Sequence, residues 1–280
     1  MPKLLVLFVL TFLTAAGASA QPVPPLVSPQ EIAAAPIADQ LGGSTSPAVD
    51  ADALPSFGSL FRDLGRDLRR LPSWETATIL GVAGGVSLAV HPRDSELTRQ
   101  AVGSRNLDTL FEAGDLMGGG FMQYGAAFAT YAIGRVSHSP RVARLGADLV
   151  RAQIVGSALT QGLKIAIDRQ RPDGGRFSFP SGHSSGAFAT ATVIQRHFGW
   201  RVGVPAYALA TYVAGSRLQE NRHFMSDVVF GAAIGIVSAR AVTVGHGRAT
   251  FAVAPFAARG GGGISFTRVA RLRPETHATR

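Results

Sequence analysis

Apolar residues run through the middle of the chain in long stretches that charge, proline or polar turns interrupt. From position 73 onward these stretches are rich in Ala, Gly, Val and Ile, and their length favours helices over strands. We therefore predict an all-α fold, a helical bundle of about six core helices. The predicted helices span residues 75–90, 107–135, 142–168, 184–198, 202–217 and 226–244.

The composition of these helices leaves two settings for the bundle open. Gly and Ala on apolar helices permit close backbone approach, as in membrane bundles. Most of the uncharged stretches are nevertheless shorter than the roughly 20 residues that a helix needs to cross hydrocarbon, and residues 116–134 come nearest. We expect a membrane-associated bundle that is either embedded in the bilayer or lies beside it.

The N-terminal segments differ from the middle of the chain. Residues 1–20 combine a basic start, an apolar run and an Ala-Ser-Ala exit, which predicts a secretory signal peptide, with an uncleaved anchor as the alternative. Residues 21–55 are rich in Pro, Ala, Ser and Gly, and we interpret them as a flexible lead-in. Residues 56–72 place leucines at helical spacing with arginines between them. This amphipathic helix is expected to dock on the core or to lie on a membrane surface.

The C-terminal residues 246–280 form a basic tail with a different pattern. Residues 250–256 and 264–269 alternate loosely between apolar and polar positions on either side of a glycine run. This pattern predicts a short hairpin of two strands, with a disordered tail as the alternative.

Charge and composition narrow the partners. The chain has a net charge of +9 at pH 7, supplied almost wholly by arginine, and only Lys3 and Lys164 are lysines. Such basicity suits an anionic substrate, an anionic membrane surface or nucleic acid. No nucleic-acid motif is present, and aromatic residues do not alternate with the basic ones, so we expect no nucleic-acid partner. The absence of cysteine excludes disulfides and Cys-ligated metal.

Three short motifs in the second half of the chain carry the candidate chemistry. They are K-x6-RP beginning at Lys164, PSGH at positions 180–183, and SR-x5-H-x3-D at positions 216–227. Together they supply three cations, two histidines and one carboxylate, with a Ser-Gly turn at the head of a predicted helix. This set can hold a tetrahedral oxyanion and transfer it through a histidine.

Spacing suggests how the motif residues come together. Lys164 and Arg171 are two helical turns apart, so they share one side if the helix continues to Arg171. His223 and Asp227 are four apart and are expected on one helical face. The PSGH turn precedes a helix whose free N–H groups can bind an oxyanion, and its serine can also cap that helix.

The three motifs resemble those of the superfamily of type 2 phosphatidic acid phosphatases, bacterial acid phosphatases and vanadium haloperoxidases. Every fixed position of the family pattern is matched, and the likeness extends over residues 73–245 as a phosphatase helical domain. The resemblance implies that His183 protonates the leaving group, that His223 is the nucleophile and that Asp227 orients it. It also implies a set of phosphate-binding residues, namely Lys164, Arg171, Ser181, Gly182 and Arg217.

The implied activity is metal-independent hydrolysis of a phosphomonoester or diphosphate through a phosphohistidine, without a cofactor. A lipid substrate of the phosphatidate or isoprenyl diphosphate type is expected, at the periplasmic side of a bacterial inner membrane or in the periplasm. The alternatives are a soluble periplasmic acid phosphatase, a haloperoxidase that uses vanadate, and a non-catalytic envelope protein. The oligomeric state stays open. The remaining histidines show no ligand spacing and are expected at the surface, namely His91, His138, His197, His246 and His277.

Overall fold

The computed structural model describes residues 54–102, 108–243, 250–258 and 261–269. The predicted signal peptide at 1–20 and nearly all of the lead-in at 21–55 lie outside these residues, as do His246 and His277.

The described residues form nine α-helices, and the predicted all-α fold is confirmed. The helices are α1 Phe57–Arg70, α2 Trp74–Val90, α3 Asp94–Ala101, α4 Asp108–Gly118, α5 Gly120–Val136, α6 Pro140–Ile167, α7 Gly182–Phe198, α8 Trp200–Gln219 and α9 Met225–Val242, with a 3₁₀ turn at His91–Arg93 between α2 and α3. Two strands, β1 Thr250–Ala258 and β2 Gly261–Val269, pair antiparallel with Thr250 opposite Val269.

Two predicted features of the helices were wrong. The helix predicted at 107–135 is divided into α4 and α5, because Gly119 takes an extended conformation within a run of three glycines. The apolar stretch at 116–134 therefore does not form one continuous helix. Helix α3 was missed, since it is short and carries three charged residues in its eight positions.

The core lies where α6, α7 and α9 pack together. Its main apolar cluster is built largely from alanine and valine, with Ala152, Ala189 and Ala239 fully buried. Glycine allows the helices to approach closely, since a Cβ on Gly235 of α9 would lie 2.2 Å from the Ser185 carbonyl oxygen of α7. Small side chains at the contacts thus place the ends of α6, α7 and α9 next to one another.

Among the described residues, α9 is the helix long and apolar enough to cross a membrane, and 78% of it is buried within the protein. It is therefore the central core helix. Apolar side chains are exposed elsewhere, and the most exposed are Trp74, Leu88, Phe121 and Val136, each more than 70% accessible.

The amphipathic helix predicted at 56–72 is α1, and it docks on the core. Leu60 packs with Tyr131 and Ala147, while Asp67 is buried and pairs with Arg151 at 2.7 Å. The opposite face of α1 exposes Phe57, Phe61 and Leu68.

Candidate active site

His183 is the second residue of helix α7, which begins at Gly182 as the PSGH turn predicted. Ser181 is the N-cap, and its hydroxyl accepts a hydrogen bond from the Ser184 N–H at 3.4 Å. The Ser181 N–H is donated to the Asp227 carbonyl at 3.0 Å, which ties this turn to α9. The Gly182 and His183 amides occupy the first turn of the helix, where N–H groups have no acceptor in the helix itself.

His223 lies two residues before α9, so the expectation that it shares a helical face with Asp227 was wrong. The two side chains still meet, since Asp227 is in the first turn of α9 and its Oδ2 lies 3.6 Å from His223 Nδ1. His223 is 3% exposed, and its N–H is donated to the Arg217 carbonyl at 3.2 Å. Burial is the main reason why its pKa is lowered, and the charges of Lys164 and Arg171 act in the same direction. The imidazole is therefore held neutral at pH 7.

Asp227 is fully buried and surrounded by donors. It accepts hydrogen bonds from Ser178 Oγ at 2.5 Å, from the Phe224 N–H at 2.8 Å and from Arg169 at 2.7 Å. Burial alone would raise its pKa, but the contacts with His223 and with these donors outweigh burial and lower it. The carboxylate beside His223 is therefore ionised.

Arg169 is a member of this site that the sequence did not reveal. Its guanidinium bridges two buried carboxylates, Asp227 and Asp94, at 2.7 and 2.8 Å, and it stacks 4.3 Å from the Phe224 ring. Asp94 in turn accepts from the Ser226 N–H at 3.0 Å. Asp168, the neighbour of Arg169 in the sequence, forms an exposed ion pair with Arg176.

Lys164 and Arg171 both lie at the site, but they do not share one helix as predicted. Helix α6 ends at Ile167, and Asp168 takes a left-handed conformation with φ of 45°, so Arg171 lies in the following loop. Lys164 is 7% exposed, and its ammonium donates to the Phe177 carbonyl at 2.5 Å. Burial, and then the charge of Arg171, lower the pKa of Lys164 to about 8. The two cations are close enough for each to influence the buried His223.

Arg217 connects the two histidines. It lies in the last turn of α8, is 3% exposed, and pairs with Asp115 of α4 at 2.6 Å and with Glu220. The same Asp115 oxygen lies 3.0 Å from His183 Nε2. Burial, and then the charge of Arg217, lower the pKa of His183 to about 4, against the influence of Asp115. Asp115 belongs to none of the three motifs, and sequence reasoning missed it.

The structure thus brings the predicted residues into one region and adds further carboxylates at its edge. A cleft of about 660 Å³ opens beside Asp115 and Glu220 and is also lined by Glu112 and Arg222. Of the other histidines, His91 and His138 are exposed. The side chain of His197 is only 8% exposed and lies 2.8 Å from Asp148, so its expected surface position was wrong.

Residues 145–251 match the model of the PAP2 superfamily, and this range contains all three motifs. This matched segment, residues 145–251, is called the PAP2 segment below. The PAP2 segment comprises most of α6 and all of α7, α8 and α9, whereas Asp94 and Asp115 lie outside it. The resemblance seen in the motifs is therefore confirmed.

Two curated relatives are each similar to about a third of the chain. A lipid A 1-phosphatase of Porphyromonas gingivalis is 39% identical over 97 residues, which cover 33% of this chain and 22% of that protein. A lipid A 4′-phosphatase of Helicobacter pylori is 31% identical over 114 residues, which cover 36% of this chain and 58% of that protein. The matches thus span less than two thirds of either relative.

Two solved structures are also similar to the chain. LpxE of Aquifex aeolicus is 24% identical with a TM-score of 0.44, and the match covers 51% of this chain and 90% of that one. A transmembrane PAP2-type phosphatidylglycerolphosphate phosphatase of Bacillus subtilis is 20% identical with a TM-score of 0.48, and the match covers 66% and 92%.

Proposed function

We propose that this protein is a phosphatase that hydrolyses the phosphate ester of a lipid through a phosphohistidine intermediate. The observation that carries the proposal is the pairing of a buried, neutral His223 with a buried, ionised Asp227, next to His183 and three cations. Neutral imidazole is the nucleophilic form, and an ionised carboxylate at one ring nitrogen leaves the other nitrogen free to attack.

In the first step His223 attacks phosphorus through Nε2, because Nδ1 faces Asp227. The N–P bond forms as the P–O bond to the leaving group breaks, and His183 gives a proton to the departing oxygen. Water then attacks phosphorus: a new O–P bond forms as the N–P bond to His223 breaks, and His183 takes a proton from the water. Inorganic phosphate leaves, and both histidines return to their starting state.

The negative charge of the transferring group needs fixed cations. Lys164, Arg171 and Arg217 supply three positive charges, two of them on side chains less than 10% exposed. Such preorganised charges stabilise a phosphoryl-transfer transition state. The amide of Gly182, at the N-terminus of α7, is assigned to a phosphate oxygen. For Ser181, whose amide is already donated to Asp227, the hydroxyl is the group assigned.

Two observations support a lipid substrate. The curated relatives are named lipid A phosphatases, whose substrates are phosphorylated lipids. Exposed apolar side chains such as Trp74 and Phe121 suit contact with a bilayer. We assign the protein to the membrane, on the outer side that a secretory signal peptide implies.

The test is phosphate release, with chelator present, from lipid A, phosphatidate, an isoprenyl diphosphate and an aryl phosphate. Wild type is compared with His223→Ala, and with Arg176→Ala as the control for an exposed charge. We expect chelator-resistant release from a lipid monoester that is lost in His223→Ala alone. Failure of wild type on every phosphate ester, together with bromide oxidation in the presence of vanadate, would replace the phosphatase by a haloperoxidase.

A further inference from the structure

Asp115 lies between His183 and Arg217, on the side of the site from which the leaving group departs. Its Oδ1 lies 3.0 Å from His183 Nε2 and 2.6 Å from Arg217 Nη1. Neither contact involves the His223–Asp227 pair. His183 therefore has a carboxylate partner of its own, contributed by a helix outside the PAP2 segment.

The backbone of α4 is held closely against this region by two glycines four residues apart. A Cβ on Gly114 would lie 2.6 Å from Ser216 Cβ, and one on Gly118 would lie 2.8 Å from His183 Cδ2. Contacts this short leave no room for a side chain, so α4 can only be this close with glycine at both positions. Phe111, one turn before Asp115, stacks on Tyr212 of α8 with ring centres 5.7 Å apart. The backbone that carries Asp115 is thus fixed by packing, whereas its carboxylate, 56% exposed, is held by His183 and Arg217.

We propose that Asp115 is the positioning residue of the general acid: it accepts the Nε2–H of His183, so that the proton on Nδ1 is the one given to the leaving group. This inference rests on the proposed phosphatase activity. It assigns the site two histidine–carboxylate pairs, one for the nucleophile and one for the acid. In the transfer step the Nδ1 proton moves to the departing oxygen, while Nε2 keeps its proton and Asp115 keeps its charge.

The surroundings of His183 explain why the acid needs this carboxylate. The charged or titratable groups that face it are Asp115 of α4, Arg217 of α8 with its partner Glu220, and His223 of the loop before α9. Burial and the charge of Arg217 oppose protonation of His183, and Asp115 is the negative group that favours it. Removal of that charge lowers the fraction of His183 that is protonated when substrate is bound.

The experiment compares two substrates that differ in their need for an acid. An alkyl phosphate of the lipid type has a strongly basic leaving group, whereas p-nitrophenol leaves without much help. In Asp115→Asn we expect kcat for the alkyl ester to fall on the order of 10²-fold, the lower end of general-acid contributions, and kcat for the aryl ester to fall much less. The alkaline limb of the kcat profile for the alkyl ester moves to lower pH, because the His183 pKa in the complex falls.

Glu112→Gln is the matched control, since Glu112 is an exposed carboxylate one turn earlier on α4 and lines the same cleft. Glu112→Gln should keep the wild-type ratio of the kcat values for the two substrates and the wild-type pH profile. Asp115→Glu, which restores the charge, moves the ratio back toward wild type, and it carries the test if Asp115→Asn does not fold.

Two results would overturn the inference while the phosphatase itself stands. Equal losses on both substrates would make Asp115 a purely structural residue. Faster turnover with tighter inhibition by vanadate would mean that Asp115 blocks the phosphate position. If wild type releases no phosphate from either ester, the proposed function fails instead.

Discussion

The bridge made by Arg169 gives the sharpest prediction about how the site is held together. Its guanidinium is 18% exposed and contacts two carboxylates that are 0% and 3% exposed, Asp227 and Asp94. Arg169→Met keeps most of the apolar volume and leaves both carboxylates without their common cation. Breaking a buried ion pair costs about 3–5 kcal/mol, and the partial exposure of Arg169 places this variant near the lower end.

For a domain of this size, a loss of about 3 kcal/mol corresponds to a fall of roughly 6–12 °C in the midpoint of thermal unfolding. The loss depends on pH in a defined direction. In the wild type the pKa of Asp227 is lowered, so its stabilising contribution is present above the unfolded-state pKa and lost as the pH falls through the folded-state value. In Arg169→Met the pKa of Asp227 rises, and protonation relieves the repulsion. The difference in unfolding midpoint between variant and wild type therefore becomes smaller as the pH falls from 7 to 5.

The assay is thermal unfolding of the purified protein at pH 7 and pH 5. Arg176→Met is the matched control, because Arg176 also pairs with a carboxylate of the same loop but is fully exposed, and its midpoint should equal that of wild type. A midpoint for Arg169→Met that matches this control at pH 7, or a gap of equal size at both pH values, would refute the reasoning.

Three further predictions test other parts of the site and core. Because the pKa of Lys164 is about 8, kcat/KM should decline above that pH. In Lys164→Arg this alkaline limb of the pH profile should move to higher pH. If the limb stays where it is, another group is responsible for it. Binding of tungstate should be accompanied by uptake of a proton at His183, whose pKa in the free site is about 4. The affinity for tungstate should therefore rise as the pH falls from 7 to 5. Calorimetry in two buffers measures the proton uptake, and binding without it contradicts the prediction. Gly235→Ala should lower the free energy of unfolding by about 1–3 kcal/mol through overpacking. Gly162 has open space around it, so Gly162→Ala should leave the free energy of unfolding unchanged or raise it. Denaturant unfolding compares the two variants, and equal effects would contradict the close helix contact at Gly235.

The motifs predicted the two histidines, Asp227 and the three cations of the candidate site, because the family pattern that they resemble gives their residue types and spacing. Ser181 capping α7 was also predictable, since serine before a helical run is a local signal. The helical core followed from the apolar stretches alone, whose lengths suit helices. In these respects local sequence was sufficient.

Local sequence failed where long-range contacts decide the structure. Nothing in the spacing of Lys164 and Arg171 indicates that α6 ends at Ile167, because the loop after it is held by contacts such as Ser178 with Asp227. Asp115 and Asp94 lie far from the motifs in sequence, and the packing of α4 and α3 brings them to the site. An aspartate outside the motifs has no pattern that distinguishes it from a solvated one.

The central claim is that phosphate passes through His223, and trapping the intermediate tests it most directly. Wild type is mixed with a substrate labelled in its phosphate and quenched within a single turnover. We expect label on the protein that is stable to base, labile to acid and located at His223 by mass spectrometry, with none in His223→Ala. Rapid release of labelled phosphate from wild type, with no protein-bound label at any quench time and inversion of configuration at phosphorus, would show direct attack by water and contradict the account.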